Sequence, residues 1–227
     1  MILSKVTDLI GNTPMLGLPI PGKNATLLLK IEKNNPEGSI KDRMARNMIV
    51  AALKSERLKP AGAVVESSSG NTGIGLAIAA IEFGLRFIAV IDHHAAQDKI
   101  AVMRAFGAEI RYVEGDYRED EVAVVERQRL AAEIASQLPD AVFMNQSDNV
   151  ANASAYFDFV REVTAEVDGG LDAYVGCVGT GGSMTGIARG LKLYNPRTKA
   201  IAVEPAGSII SVAAGCTADG VPHARSD

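Results

Sequence analysis

Cysteine is scarce in this chain, which has only Cys177 and Cys216. Two thiols make no disulfide framework and suit a reducing compartment. Histidine is nearly as rare, at three. His93 and His94 are adjacent, so on a strand they face opposite ways, and as a polar pair they fit a solvated loop. No Cys-x-x-Cys or His-x-x-x-His spacing accompanies them, and no metal site is expected. No apolar run approaches the roughly 20 residues that span a bilayer. Residues 1–8, MILSKVTD, lack the shape of a signal peptide. A cytoplasmic protein without a membrane partner is the expectation. Lys+Arg number 23 against Asp+Glu 27, a net charge of -4, so the basic excess of a nucleic-acid binder is missing. No internal repeat and no low-complexity segment interrupts the chain. What remains is an ordinary globular composition, 47% hydrophobic and 22% charged over 227 residues, enough for one large domain or two small ones.

Short apolar runs at 26–31, 63–66, 87–91, 109–113, 173–177 and 200–203 read as strands. They are almost uniformly apolar, as strands buried on both faces of a parallel sheet are. Helical patterns at 42–55, 72–83, 99–106, 119–137, 152–166 and 182–194 alternate with them, and Phe106-Gly107-Ala108 reads as a glycine C-cap. Such alternation predicts an α/β fold. Two glycine-bearing loops each follow a strand and open a helix: Ser67-Ser68-Ser69-Gly70-Asn71-Thr72-Gly73 and Gly179-Thr180-Gly181-Gly182-Ser183. That places them at strand carboxyl ends, where open α/β sheets bind ligands. In the second loop glycines allow close backbone approach, the helix start offers unpaired N–H groups, and Thr180 and Ser183 add hydroxyls; a phosphate or a plain tight turn both fit. Known nucleotide fingerprints are missing. Gly182 is not followed by lysine, and neither loop has the third glycine of Gly-x-Gly-x-x-Gly. Lys41 stands at a turn-to-helix junction after Pro36 and Gly38, either solvated or pointing into a cleft.

Six segments, in order, resemble the cysteine synthase/cystathionine β-synthase family of pyridoxal-phosphate (PLP) enzymes. They are Ile10-Gly11-Asn12-Thr13-Pro14-Met15, Asn35-Pro36-Glu37-Gly38-Ser39-Ile40-Lys41-Asp42-Arg43, Ser68-Ser69-Gly70-Asn71-Thr72-Gly73, Asn145-Gln146, Gly179-Thr180-Gly181-Gly182-Ser183 and Val203-Glu204-Pro205. The resemblance implies the tryptophan synthase β-like fold, fold type II. In it two α/β parallel-sheet domains hold PLP in the cleft between them. Residues 37–145 would form the smaller domain, and 1–36 with 146–227 a larger, incomplete one. The family's last third has no counterpart here, and the stretch 215–227 reads as irregular. No residue is therefore assigned to the pyridine nitrogen, and apolar sheet surface is expected to lie exposed, inviting aggregation and putting activity of this chain in doubt.

The resemblance also implies roles. Lys41 would be the Schiff-base lysine and the proton carrier at the substrate α-carbon. Asn71 would face the cofactor's ring hydroxyl. Gly179, Thr180, Gly181, Gly182 and Ser183 would bind its phosphate, and Ser68, Ser69, Thr72 and Gln146 the substrate carboxylate. The implied reaction is β-replacement on an O-activated L-serine, giving L-cysteine from O-acetylserine or O-phosphoserine and sulfide, with ping-pong kinetics and a homodimer. Glu37, Glu66-Ser67, Asp92-His93-His94 and Asn145-Gln146-Ser147-Asp148 depart from the synthase pattern. They leave open a diaminopropionate-type synthase of secondary metabolism using an amine nucleophile. The missing third leaves open a non-catalytic PLP-binding remnant.

Overall fold

A short connection decides how the first strands pair. Met15–Pro19 (β1) and Thr26–Lys30 (β2) are joined by a tight turn in which the Ile20 N–H donates to the Ala25 carbonyl. Six intervening residues cannot make the crossover that parallel strands need, so the pair is antiparallel, with Leu16 opposite Leu29 and Leu18 opposite Leu27. This corrects the expectation that 26–31 is a buried parallel strand: Leu27 and Leu29 stay 48% and 38% exposed. β1 has no β-branched run, and Gly17 and Pro19 hide it in the sequence. The structure, a computed structural model, describes residues 2–115, 123–167 and 170–204.

The chain then alternates. Lys41–Lys54 (α1), Ala63–Ser67 (β3), Asn71–Glu82 (α2), Arg86–Ile91 (β4), Gln97–Ala105 (α3), Glu109–Tyr112 (β5), Val124–Gln137 (α4) and Ala141–Phe143 (β6) build a four-stranded parallel sheet in the order β5-β4-β3-β6. Residues on β3 and β4 alternate between two apolar layers. Val64, Ala89 and Ile91 pack with Met44, Met48, Ile49 and Leu76 of α1 and α2. Val65, Ile88 and Val90 pack with Ala131 and Ile134 of α4 on the other face. Burial on both faces explains why these strands read as unbroken apolar runs. β6, only three residues long, is too short to stand out as one. The expected helix start at 119 lies outside the described residues. Gly107, at φ +82°, ends α3 as the C-cap expected, with the Ala108 N–H reaching back to the Met103 carbonyl.

Val150–Ser154 (α5) and Phe157–Glu166 (α6) replace the single helix expected over 152–166. Asn149 caps the first from outside, its side chain accepting the Ala151 N–H at 3.0 Å. The Ala155 and Tyr156 N–H groups reach carbonyls three residues back, which tightens the chain and buries Tyr156 fully. Ala173–Cys177 (β7), Gly182–Tyr194 (α7) and Lys199–Val203 (β8) complete the described chain, with β7 and β8 paired in parallel. One face of that pair carries Val175, Ile201 and Val203, 45–59% exposed, in line with the exposed sheet surface expected.

A part-buried ion cluster around Arg43 ties the N-terminal segment to this body. Arg43 donates to both oxygens of Glu32 and both of Glu162, at 2.7–2.8 Å. Lys30 pairs with Glu162 at 2.7 Å, and the Thr13 hydroxyl donates to Glu32. Burial alone would raise the Glu162 carboxyl, but hydrogen bonds from Arg43, Lys30 and the Asn12 backbone bring it down to about 2. Asn35 accepts the Gly11 N–H at 2.8 Å. The first two family-like segments are therefore held together beneath the start of α1.

Candidate active site

The sheet order changes direction at β3. The chain runs outward through β4 and β5, then returns to place β6 on β3's other side. Open α/β sheets bind ligands at such a reversal, which here falls at the carboxyl ends of β3 and β6. The 67–73 loop leaves β3 there, and Asn145 and Gln146 leave β6 there. The two meet: the Thr72 hydroxyl donates to Gln146 Oε1 at 2.8 Å, and Gln146 Nε2 reaches the Ser67 carbonyl at 3.4 Å. The Ser68 hydroxyl accepts the Gly73 N–H at 3.1 Å and shapes the turn. Ser69 is contacted by Arg127 of α4 at 3.4 Å, and Arg127 also pairs with the buried Asp92.

Lys41 is the first residue of α1 and is partly buried. Its backbone N–H donates to the Ser39 hydroxyl at 3.0 Å, and Ser39 in turn donates to Glu37. Burial holds the Lys41 ammonium below the usual lysine range, against the pull of Glu37. Burial also pushes the Glu37 carboxyl up, opposed by Ser39, Lys99 and Lys41, and pushes Asp42 up to about 7. α1 and α2 start side by side because Gly75 lets them close. A Cβ there would sit 3.5 Å from the Lys41 carbonyl and 3.1 Å from Ala45 Cβ. Asn71, the first residue of α2, is exposed, and its Oδ1 accepts Lys99 Nζ at 2.8 Å. Lys99 acts electrostatically on Glu37, and Glu37 on Lys41.

The 179–183 turn lies at the carboxyl end of β7. Gly181 adopts φ +87°, which favours glycine, and caps the 13-residue helix α7. The first N–H groups of α7 lack intrahelical partners. A Cβ at Gly179 or Gly181 would meet nothing within 4 Å, so the backbone borders open space. Ser183 is buried and Thr180 exposed. Asn152 joins this turn to Gln146. Its Nδ2 donates to the Gln146 carbonyl at 2.8 Å and lies 3.5 Å from Thr180 Oγ1. The donor set fits a phosphate, and a partly desolvated lysine fits an aldehyde, so the residues present suit PLP.

Four residues went unassigned in the sequence: Lys99, Arg127, Glu66 and Asn152. Glu66 had a signal, a carboxyl closing an apolar strand. It is 1% exposed and accepts the Ser67 N–H at 2.8 Å and the Gln146 N–H at 3.1 Å. Burial pushes it up to about 8 against those two bonds. The others had none, since lysine, arginine and asparagine occur in helices throughout the chain. His93 and His94 are exposed and follow β4. Their rings lie 4.1 Å apart instead of facing opposite ways, because the chain there is a turn and not a strand. Among the described residues no group of three or more His, Cys, Asp or Glu could hold a metal, and no helix is long and apolar enough to cross a membrane. A separate hollow of about 630 Å³ borders Arg43, Arg46 and Arg161 but none of the candidate residues. All three arginines there are paired with carboxylates.

Residues 6–224 match the family model described as "Pyridoxal-phosphate dependent enzyme". A Sinorhizobium fredii (strain NBRC 101917 / NGR234) protein provisionally named a cysteine synthase is 68% identical over 210 residues, 92% of this chain and 62% of its own. The chain thus spans less than two thirds of that relative. The O-acetylserine dependent cystathionine β-synthase of Bacillus subtilis (strain 168) is 35% identical over 228 residues, 99% of this chain and 70% of that one. A solved structure of the O-acetylserine dependent cystathionine β-synthase from Helicobacter pylori superposes with TM-score 0.84 at 33% identity, covering 93% of this chain and 69% of the other. The fold is the α/β arrangement of fold type II, and the chain belongs to the pyridoxal-phosphate dependent enzyme family.

Proposed function

We propose that this chain carries the site of a PLP-dependent β-replacement enzyme that makes L-cysteine from an O-activated L-serine, O-acetylserine in the first instance, and sulfide. The observation that carries this reading is the hydrogen-bonded set Thr72–Gln146–Asn152–Thr180, gathered at strand carboxyl ends. Both O-acetylserine dependent relatives support the choice of donor. When bound, PLP supplies the electron sink for chemistry at the amino-acid α-carbon. The chain's own residues do the rest. The 179–183 turn takes the phosphate on Thr180, Ser183 and backbone N–H groups. Asn71 faces the ring hydroxyl, exchanging its bond to Lys99 for one to the cofactor. Ser68, Ser69, Thr72 and Gln146 hold the substrate carboxylate. Lys41, partly buried at the start of α1, is the amine that engages the cofactor and takes the α-proton.

In this reading 37–145 is the smaller domain and 1–36 with 146–227 the larger, a homodimer is the working assembly, and the cytoplasm is the working compartment. The parallel sheet of β3–β6 supports the first boundary, since its four strands all fall between 63 and 143. Purified protein reconstituted with PLP and given O-acetylserine and sulfide tests the reading. Cysteine formation that disappears in Lys41→Ala is expected. A protein that takes no PLP contradicts the cofactor assignment, and one that takes PLP without turnover contradicts the catalytic one.

A further inference from the structure

Asn152 is 3% exposed and lies in α5, outside every family-like segment. A buried amide of this kind is expected to satisfy its own donors and acceptor. Nδ2 does so across the cleft. It donates to the Gln146 carbonyl at 2.8 Å and approaches Thr180 Oγ1 at 3.5 Å. Oδ1 has no hydrogen-bond partner although it is fully enclosed. The same side chain sits against the phosphate turn so closely that a Cβ on Gly182 would overlap it. A single amide therefore touches both halves of the cleft: the residue that follows β6, and the turn that opens α7. Gln146 is in turn fixed from the other side by Glu66 and Thr72.

We propose that Asn152 is the positioning residue of the cleft, holding Gln146 and the 179–183 phosphate turn in one register. This rests on the PLP reading above. The amide's planar head sets the spacing between the carboxylate-binding and phosphate-binding groups, so one bound molecule meets both at once. Asn152 touches neither ligand itself; it acts through Gln146 and Thr180.

Comparing PLP with pyridoxal, which lacks the phosphate, isolates this role. Both are titrated by visible absorbance into the full chain and into Asn152→Ala, with far-UV circular dichroism checking that the variant is folded. Asn152→Ser, which keeps a small polar side chain, serves as a second variant. In Asn152→Ala, PLP affinity is expected to fall by up to about tenfold, the scale of one lost neutral hydrogen bond behind the turn, with pyridoxal within about twofold of the unsubstituted chain. Asn152→Ser should fall between. L-serine titrated into the PLP-loaded variant should also bind more weakly, because Gln146 is loosened. Equal losses for PLP and pyridoxal, or no loss for PLP, overturn the proposal and leave a residue that only fills space. Unchanged L-serine binding overturns the link to Gln146. If the unsubstituted chain binds neither PLP nor pyridoxal, the PLP reading itself falls; if it binds PLP and both variants match it, the positioning role alone falls.

Discussion

At the scale of single residues, one half-buried and one buried carboxyl behave in opposite ways. Glu162 is held at about 2 by Arg43 and Lys30 despite its burial. A carboxyl depressed below its ordinary value adds stability above that value and loses it as pH falls. The chain should therefore lose stability as pH drops from about 4.5 towards 2, and Glu162→Gln should flatten that slope while lowering stability at neutral pH; urea melts across the range check this. Glu66 is instead pushed up to about 8, and both its oxygens face backbone N–H groups. Glu66→Gln turns one acceptor into a donor pointed at another donor. It should cost about 1–3 kcal/mol in a urea melt, the scale of a buried unsatisfied group. The Lys41 motif was legible because a lysine after a proline–glycine turn stands out in a known pattern. The bond from Lys99 to Asn71 was not read, because it depends on α3 packing beside α2, which no local pattern encodes.

At the scale of elements, helix approach sets where the phosphate turn lies. Gly186 on α7 faces α5 so closely that a Cβ would fall on the Ala153 carbonyl. Backbone cannot swing aside as a flexible side chain can, so Gly186→Ala should lower stability by about 1–3 kcal/mol. It should also weaken PLP binding, because α7 carries the 179–183 turn. A thermal melt and a PLP titration read the two effects. Gly75→Val should separate α1 from α2 in the same manner, its Cβ already meeting Ala45 and Asp42. The elements themselves were largely visible in sequence. β3, β4 and β7 are apolar runs bounded by turns, and α1 and α7 keep helical spacing. The hairpin β1–β2 and the break between α5 and α6 were hidden. Strand direction follows from connection length, and the break follows from the burial of Tyr156, a tertiary demand.

At the scale of the whole molecule, apolar surface remains uncovered. Leu16, Leu18, Leu27 and Leu29 share one face of the hairpin, and Val175, Ile201 and Val203 one face of the β7–β8 pair. Faces of this kind associate with other apolar surfaces. Light scattering should rise with protein concentration, and replacing Val175 and Ile201 by threonine should reduce that rise; equal scattering from both proteins would place the association elsewhere. The family was readable from six short segments in order. The contacts between them were not, because they depend on β6 returning beside β3 and on Asn152 reaching both Gln146 and Thr180. The central claim is that Lys41 is the amine that engages the cofactor. Reduction of the PLP-treated chain with borohydride, followed by peptide mapping, tests it most directly. The label is predicted on Lys41 alone; a label on Lys99, which bonds Asn71, or on no lysine at all, would contradict it.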